Sequence, residues 1–211
     1  MRQITRSSAA RFWDKNALNY SKQPVRDEAA YRRKLEVTRD YLRRNMQVFE
    51  FGCGTGSTAI VHAPHVAHIH AIDISGTMIE IARRKAAAAN ADNVSFEVTT
   101  IEDHDAPDGS YDAVMGHSIL HLLEDKDAAI AKVGKLLKPG GIFVSSTFCG
   151  GDSHRWLRFV LPIGQFFGKM PYVDLFTRQE LVQSIERAGF EIDHEWQPGK
   201  GKAVFIVAKK A

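Results

Sequence analysis

The feature that most constrains the fold of this chain is a glycine-rich turn that directly follows a short β-favouring run. Residues 46–51 form the run, and residues 52–56 read GCGTG. Glycine adopts backbone conformations that other residues avoid, and a helix that begins after such a turn offers unpaired N–H groups to an anionic group. The turn therefore predicts a strand that ends at a ligand-binding loop and continues into a helix.

Strand and helix patterns alternate along the rest of the chain. β-Favouring runs predict strands at residues 46–51, 66–72, 94–98, 111–115, 142–147, 190–196 and 202–208. Helical spacing of apolar residues and capping residues predict helices at residues 8–20, 27–44, 75–90, 125–137 and 177–189, the last opened by a capping box of Thr177 and Glu180.

This order of elements predicts the fold class. Strands interleaved with helices indicate a parallel sheet, but only residues 197–201 join the last two strands, and so short a link requires a hairpin. We predict an α/β, Rossmann-like fold with a seven-stranded, mostly parallel sheet, the last strand antiparallel, and helices on both faces. Two N-terminal helices precede the first strand.

Composition indicates a globular chain. Hydrophobic residues make up 44% and charged residues 25% of the 211 residues, which excludes disordered, fibrous and disulfide-framework proteins and fits one domain. The sequence contains neither a run of about 18 apolar residues nor a start typical of a signal peptide, so we expect a cytoplasmic protein with no stable membrane insertion. Cys53 and Cys149 would follow non-neighbouring strands, and we expect free thiols.

The formal net charge of +3 is unevenly distributed. Residues 1–45 hold 12 Lys and Arg against 5 Asp and Glu, whereas the remaining residues hold 16 against 20. A basic segment can bind nucleic acid or an anionic surface. Because these charges alternate with apolar residues at helical spacing, we favour a solvated helical face and expect no nucleic-acid partner.

Asp73 lies at the end of the second predicted strand, about twenty residues after the turn. A carboxylate there can accept both hydrogen bonds from a ribose diol, which indicates an adenosine-type ligand, although Asp73 could instead cap the helix near Ser75. The dinucleotide fingerprint requires its third glycine three residues after the second, a position that Ser57 holds. The turn therefore does not fit a nicotinamide dinucleotide enzyme.

Four segments together resemble the class I S-adenosylmethionine-dependent methyltransferases. Residues 48–56 (VFEFGCGTG) are similar to the first motif of that family, and residues 71–75 (AIDIS) are similar to its second motif. Residues 111–114 (YDAV) and 117–122 (HSILHL) are similar to the fourth-strand motif of the family. Residues 137–141 (LKPGG) are similar to the turn before its fifth strand. The resemblance is strongest to the small-molecule branch that includes quinone-biosynthesis methyltransferases, whose two N-terminal helices close over the cofactor.

The resemblance implies S-adenosylmethionine as the cofactor and a single methyltransferase domain, residues 1–211. Its expected regions are an N-terminal helical lid (1–45), a cofactor-binding core (46–148), an apolar lid insertion (149–176), and a C-terminal helix and hairpin (177–211). The backbone of the turn would hold the methionine moiety of the cofactor, and Asp73 would hold the ribose. The turn residues expected to do so are Gly52, Cys53, Gly54 and Gly56.

Four further residues are implied in cofactor binding. Ile74 and Met78 would flank the adenine. Glu50 would bind the cofactor ammonium directly or through water, because an ionised carboxylate in a buried strand is costly without a partner; a structural ion pair is the alternative. Tyr20 resembles the N-terminal tyrosine of the family that approaches the cofactor carboxylate, and a buried core tyrosine is the alternative.

The chain departs from the family pattern after the third strand. Many relatives place an aspartate there to accept from the adenine amino group, whereas this chain has Thr100 and Ile101, followed by Glu102 and Asp103. We expect the backbone N–H of Ile101 to contact the adenine ring, with Thr100 or Glu102 as secondary contacts.

His117 and His121 follow the fourth strand on the cleft side. Methyl transfer from a sulfonium is an in-line displacement in which positioning supplies most of the catalysis, but a neutral hydroxyl or amine acceptor still needs a base. We predict both histidines as catalytic candidates, and we expect the backbone of His117 to contact the cofactor as well. Ordinary packing in a loop is the alternative for each.

Two other clusters have simpler interpretations. His62, His65, His68 and His70 have no cysteine or carboxylate among them, so we expect no metal site. Residues 156–176 are rich in aromatic and apolar side chains and would form a lid, which favours an apolar or aromatic acceptor. A homodimer surface, core packing and contact with a membrane interface are the alternatives for that segment.

We therefore predict an S-adenosylmethionine-dependent methyltransferase that acts on a small, apolar or aromatic acceptor. The alternatives are a non-catalytic protein that binds S-adenosylmethionine or another adenosine ligand, a nucleotide-dependent oxidoreductase, and a nucleic-acid methyltransferase. The last is disfavoured because residues 117–120 read HSIL where enzymes that methylate base amino groups carry an Asp/Asn-Pro-Pro-aromatic motif.

Overall fold

The described part of the chain alternates strands and helices. The structure is a computed structural model that describes residues 6–153, 156, 161, 165 and 170–211. The helices are α1 (Arg6–Lys22), α2 (Glu28–Tyr41), α3 (Ser57–His62), α4 (Gly76–Ala88), α5 (Lys126–Leu136) and α6 (Arg178–Arg187). The strands are β1 (Gln47–Phe51), β2 (His68–Asp73), β3 (Val94–Val98), β4 (Tyr111–His117), β5 (Leu137–Thr147), β6 (Phe190–Trp196) and β7 (Val204–Lys210).

The seven strands form one sheet in the order β3-β2-β1-β4-β5-β7-β6. Strands β1 to β5 pair in parallel, and β7 is antiparallel to both β5 and β6. The predicted fold class is confirmed, including the antiparallel last strand. The strand order reverses between β1 and β4, where the carboxyl ends of open α/β sheets form a ligand-binding crevice.

Helices cover both faces of the sheet. Successive residues of a strand point to opposite faces, so Phe49 and Phe51 of β1 point away from Val48 and Glu50. The two phenylalanines belong to the core cluster under α5 and α6, and Val48 belongs to the cluster under α2, α3 and α4. Glu50 is therefore a carboxylate placed in an otherwise apolar layer.

Strand β5 is longer than the expected 142–147 because the predicted turn at residues 139–141 is accommodated inside it. Tyr111 pairs with Leu137, but Ala113 pairs with Ile142, so four residues of β5 lie opposite one residue of β4. Gly140 has a φ of +71°, which glycine adopts without strain. The predicted turn is therefore a bulge within β5, and β5 begins before it.

Three helix starts are capped by side chains, and the capping box at the last of them was predicted. Asp27 accepts a hydrogen bond from the Ala30 N–H, Ser75 accepts from the Met78 N–H, and Thr177 forms a complete capping box with Glu180. Each cap satisfies a backbone N–H and contributes about 0.5–2 kcal/mol. Helix α2 ends at Tyr41, before the expected residue 44, because Leu42 adopts an extended backbone.

Two basic residues of α2 contact neighbouring side chains, one in the same helix and one in β6. Arg32 pairs with Glu28 of the same helix at 3.1 Å, and the guanidinium of Arg33 lies 4.4 Å from the ring centroid of Trp196. These contacts fit the helical-face interpretation of the basic segment. Within the described ranges, no helix combines the length and the apolarity needed to cross a bilayer.

The two cysteines are free and buried, as predicted. Cys149 packs in the α5–α6 core cluster with Phe176, so both ends of the expected insertion 149–176 lie in the core. Inside that segment, residues 154–155, 157–160, 162–164 and 166–169 lie outside the described residues. About half of the predicted apolar lid, residues 156–176, falls on them.

Candidate active site

The loop after β1 is built on three glycines with left-handed backbones. Gly52, Gly54 and Gly56 have φ angles of +65°, +55° and +73°. A Cβ at Gly52 would lie 2.6 Å from Cγ1 of Ile119, whereas a Cβ at Gly54 would meet only Cε1 of Tyr20, at 3.9 Å. The loop is therefore closely packed at Gly52 and open at Gly54.

Asp73 fixes this loop to the end of β2. Its Oδ2 accepts from the Gly54 N–H at 2.8 Å, and its Oδ1 accepts from the Ser75 N–H at 2.9 Å. Burial raises the pKa of Asp73, while these two hydrogen bonds act in the opposite direction. The carboxylate thus supports the start of α4, as the capping interpretation required, and each oxygen keeps a second lone pair for a ligand hydroxyl.

Asp14 of α1 contributes to the same corner, which sequence reasoning did not foresee. Its Oδ1 accepts from the Ser75 hydroxyl at 2.6 Å and from the Thr77 N–H at 3.1 Å. Asp14 therefore ties the N-terminal helix to the start of α4. An aspartate in a basic, amphipathic segment carries no sequence signal for this role, because the same pattern describes an ordinary solvated side chain.

Glu50 is 2% exposed and is held below the glycine loop. One carboxylate oxygen accepts from the Ala59 N–H, and Oε2 has no hydrogen-bond partner among the described residues. Burial, reinforced by the nearby negative charge of Asp73, raises the pKa of Glu50 to about 8. No described residue forms the structural ion pair that was the predicted alternative. Within the described part of the chain, the carboxyl group of Glu50 therefore has no cationic partner.

Tyr20, at the end of α1, lies over the open side of Gly54. The residue is 49% exposed, so it is not the buried core tyrosine that was the alternative. Desolvation raises the pKa of its hydroxyl, and the charge of Asp73 adds to the effect. The Tyr20 ring thus borders the open side of the glycine loop, within reach of the charge of Asp73.

The residues predicted to surround adenine are divided between the crevice and the core. Met78 is buried in a small cluster with Ala17, Ile81 and Trp13 between α1 and α4, whereas Ile74 is only half-buried. Ile74 is therefore the more accessible of the two predicted flanking side chains.

The loop after β3 buries one of its three predicted side chains. Ile101 is buried in the α5–α6 core cluster, which leaves its backbone as the part available to a ligand. The Thr100 hydroxyl lies 3.2 Å from Oδ2 of Asp103, and the backbone carbonyl of Glu102 accepts from Lys132. The exposed Glu102 side chain is thus free to turn toward or away from the crevice.

His117 ends β4 opposite Ser146 of β5. Its Nε2 is buried and has no hydrogen-bond partner within the described part of the chain. Desolvation lowers the pKa of His117 to about 3, and the nearby charges of His62 and Lys34 act in the same direction. The imidazole is therefore neutral near pH 7 and can accept or donate one hydrogen bond, depending on its tautomer.

His121 lies in the 3₁₀ helix Leu120–Leu122, with its ring edge-on to Phe148 at 6.1 Å between centroids. Its Nδ1 is buried without a described partner, and burial lowers the pKa of His121 to about 4. His121 is thus also neutral, and it lies next to an aromatic side chain at the end of β5.

Lys34 is a further residue of this region that the sequence did not indicate. Its Nζ donates to Oγ of Ser146 at 2.7 Å, which carries the α2 ammonium to the carboxyl end of β5 beside His117. Desolvation lowers the pKa of Lys34. A lysine on an amphipathic helix has no sequence signal that separates it from its solvated neighbours, and only the packing of α2 over the sheet places it here.

The four clustered histidines do not converge. His62 is buried and neither ring nitrogen has a partner among the residues described, whereas His68 contacts the Ser95 hydroxyl at 2.8 Å. His70 lies instead beside Glu97 and His104. We expected no metal site among these four residues, but His70 belongs to a different cluster.

Comparison with known families identifies the family of the chain. A family model described as a methyltransferase domain matches residues 42–196. The chain belongs to this methyltransferase family. The resemblance to the class I S-adenosylmethionine-dependent methyltransferases, identified from the motifs of the glycine loop and of Asp73, is thereby confirmed.

Curated relatives of this chain have names that give different acceptors. A phosphoethanolamine N-methyltransferase of Plasmodium falciparum is 29% identical over 118 residues, which cover 54% of this chain and 44% of that protein. A malonyl-[acyl-carrier protein] O-methyltransferase of Priestia megaterium is 27% identical over 159 residues, covering 72% of this chain and 57% of that protein. The chain thus spans about half the length of these two relatives.

A solved structure with the same fold is that of the YcgJ protein of Bacillus subtilis. It has a TM-score of 0.71 and 18% sequence identity, and the alignment covers 85% of this chain and 98% of that chain. At this identity the likeness shows the fold alone. It fits the Rossmann-like sheet described above.

Proposed function

We propose that this methyltransferase binds S-adenosylmethionine in the crevice at the carboxyl ends of β1 and β2. The observation that carries the proposal is the buried Oε2 of Glu50, which lacks a hydrogen-bond partner among the described residues. A buried, unpartnered carboxylate oxygen is costly unless a cation or donor is supplied, and the α-ammonium of the cofactor is a donor of that kind.

The residues of the crevice fit the other parts of this cofactor. Asp73 retains lone pairs for the two ribose hydroxyls, and the open side of Gly54 leaves room for the methionine moiety. Tyr20 would border that moiety from α1. When bound, the cofactor would supply an electrophilic methyl group on a sulfonium. Loss of that methyl group leaves a neutral thioether.

The division of the chain into an N-terminal lid, a core, an insertion and a C-terminal part belongs to the same proposal.

The acceptor would bind next to the ends of β4 and β5, between His117, His121 and Lys34. Two neutral imidazoles and a half-buried ammonium can orient an acceptor through hydrogen bonds, and the ring of Phe148 adds an apolar wall next to His121. We therefore propose a small acceptor with an apolar or aromatic body and an oxygen-containing group that Lys34 binds.

Positioning would contribute more to catalysis than proton transfer. A group with a pKa of about 3, such as His117, binds a proton weakly near pH 7. Its contribution is to accept a hydrogen bond from the acceptor atom and hold that atom in line with the transferred methyl group. Proton removal by His117 or His121 becomes effective only if acceptor binding raises the pKa of the imidazole.

Calorimetric titration with S-adenosylmethionine, S-adenosylhomocysteine and NAD in parallel tests the cofactor. We expect both sulfur ligands to bind and NAD not to bind, and we expect Glu50→Gln to weaken binding about tenfold or more. Glu80→Gln, at an exposed position of α4, is the matched control. Binding of NAD alone, or equal affinities for the Glu50 and Glu80 variants, would overturn the proposal.

A screen with methyl-labelled cofactor tests the transferase activity. Paired acceptors that differ only in an anionic oxygen group would show whether Lys34 selects them, since Lys34→Met should remove the preference. Cofactor binding without label transfer to any acceptor would favour the non-catalytic alternative, and transfer to RNA or DNA would favour the nucleic-acid alternative. Cell fractionation and sedimentation test the expected cytoplasmic location and the homodimer interpretation.

A further inference from the structure

A second group of potential ligand side chains lies away from the cofactor crevice. His70 is in the middle of β2, Glu97 is near the end of β3, and His104 follows in the loop beyond β3. One ligand atom from each residue lies within 4.8 Å of the other two. All three side chains are on the face of the sheet that carries Phe49, opposite the face that carries Glu50.

The two histidine rings are held in place by packing. His104 is 5% exposed, and its ring stacks on Phe49 with 4.4 Å between centroids and an angle of 15° between planes. The His70 ring meets the His104 ring edge-on at 5.1 Å. Lys132 of α5 donates to the backbone carbonyls of Glu102 and His104, which fixes the loop that carries His104.

Glu97 supplies the negative charge of the group. Its Oε2 lies 3.0 Å from Nε2 of His70, and the residue is exposed, so its side chain can adjust. Two imidazoles and one carboxylate form a ligand set typical of zinc sites that keep a fourth position for water. Bonds of about 2.0–2.2 Å to one ion require the ligand atoms to approach to about 3.4 Å. The distance between Glu97 and His70 is already within that limit, and all three ligand atoms lie within 4.8 Å of one another, so only a small approach is needed.

We propose that His70, Glu97 and His104 bind a divalent transition-metal ion, for which Zn²⁺ is the probe. This departs from the expectation of no metal site, because the sequence pattern considered only histidines that are close along the chain. The ion would connect β2 and β3 to the loop after β3, and the same loop carries Thr100 and Ile101 at the edge of the cofactor crevice. The expected role is to fix that loop, and it does not depend on the identity of the cofactor.

Titration calorimetry with ZnCl₂ tests the site on the full chain after dialysis against a chelator, without any cofactor present. We expect one Zn²⁺ per chain and at least tenfold weaker binding in Glu97→Gln and in His104→Ala. The matched control is His68→Ala, which removes a histidine of the same strand that contacts Ser95 and lies outside the group. His68→Ala should keep the wild-type affinity.

Thermal unfolding with and without ZnCl₂ gives a second readout. Because an ion that binds only the folded state stabilises it, Zn²⁺ should raise the Tm of the wild type and of His68→Ala but not that of Glu97→Gln. Glu97 is exposed, so its conservative variant is expected to fold. Failure to bind Zn²⁺, or equal affinities of wild type, Glu97→Gln and His104→Ala, would overturn the proposal, and neither result would affect the cofactor assignment.

Discussion

The backbone N–H of Gly54 donates a 2.8 Å hydrogen bond to Oδ2 of Asp73 and thereby joins the loop after β1 to the end of β2. The other oxygen of the same carboxylate accepts from Ser75 at the start of α4. One buried carboxylate thus holds the two segments that border the proposed cofactor site. Removal of this carboxylate should therefore lower both the stability of the protein and its affinity for the cofactor.

Asp73→Ala should weaken binding of S-adenosylmethionine by about 1–3 kcal/mol, because charge-assisted hydrogen bonds to the ribose are lost. It should also lower the free energy of unfolding without ligand, since two backbone N–H groups, of which that of Ser75 is buried, lose their acceptor. Calorimetry and urea unfolding measure the two effects separately. Asp92→Ala, at an exposed position, is the control, and equal affinity for both variants would contradict the ribose assignment.

Glu50→Gln should stabilise the cofactor-free protein at high pH. The pKa of Glu50 is about 8 in the folded state, above its usual value of 4.5. The folded state therefore keeps the proton that the unfolded state loses, and wild-type stability falls as the pH rises from about 4.5 to 8. We expect a gain of about 2–4 kcal/mol at pH 8 and little gain at pH 4.5, measured by urea unfolding. A gain independent of pH would argue against a neutral Glu50.

Cofactor binding should release a proton at pH 6.5. Glu50 is protonated there in the free protein, and a ligand ammonium beside Oε2 lowers the pKa of its carboxyl group. Calorimetry in buffers with different ionisation enthalpies should give close to one proton released per ligand. The residual binding of Glu50→Gln should release none. A binding enthalpy that is the same in all buffers would place the ammonium elsewhere.

His117→Ala and His121→Ala should reduce turnover more than cofactor affinity. Both imidazoles lie on the proposed acceptor side of the crevice, and each has a buried nitrogen with no hydrogen-bond partner among the described residues. His194→Ala on β6 is the control, since His194 also has a buried nitrogen without a described partner but packs against Phe205 at the far edge of the sheet. Wild-type turnover in both acceptor-side variants would exclude them from the reaction.

The decrease in the free energy of unfolding at acid pH should depend on the same two histidines. The folded-state pKa values of His117 and His121 are about 3 and about 4, below the usual 6.5. The unfolded chain binds protons that the folded protein excludes, so stability should fall as the pH drops below about 6.5. His121→Phe should flatten this decline in urea unfolding series between pH 7 and pH 4. A decline identical to that of the wild type would show that His121 is not buried as a neutral ring.

The sequence by itself determined the order of strands and helices, the helix caps and the glycine loop with Asp73. These features depend on local rules. Side chains two positions apart lie on the same face of a strand, and the oxygen of a capping residue accepts from the N–H group two or three residues later in the helix. Residues 94–98 and 190–196 are strands with the predicted limits. The place of Glu50 next to the loop followed from the same alternation.

Only the tertiary structure decided which distant side chains meet. Lys34 reaches Ser146 across 112 positions of the chain, Asp14 reaches Ser75 across 61, and His70 joins Glu97 and His104 from three segments. In the sequence each of these is one polar residue among many solvated ones. Which of them converge depends on how helices pack over the sheet, and that packing is set by the apolar core and not by the polar residues themselves.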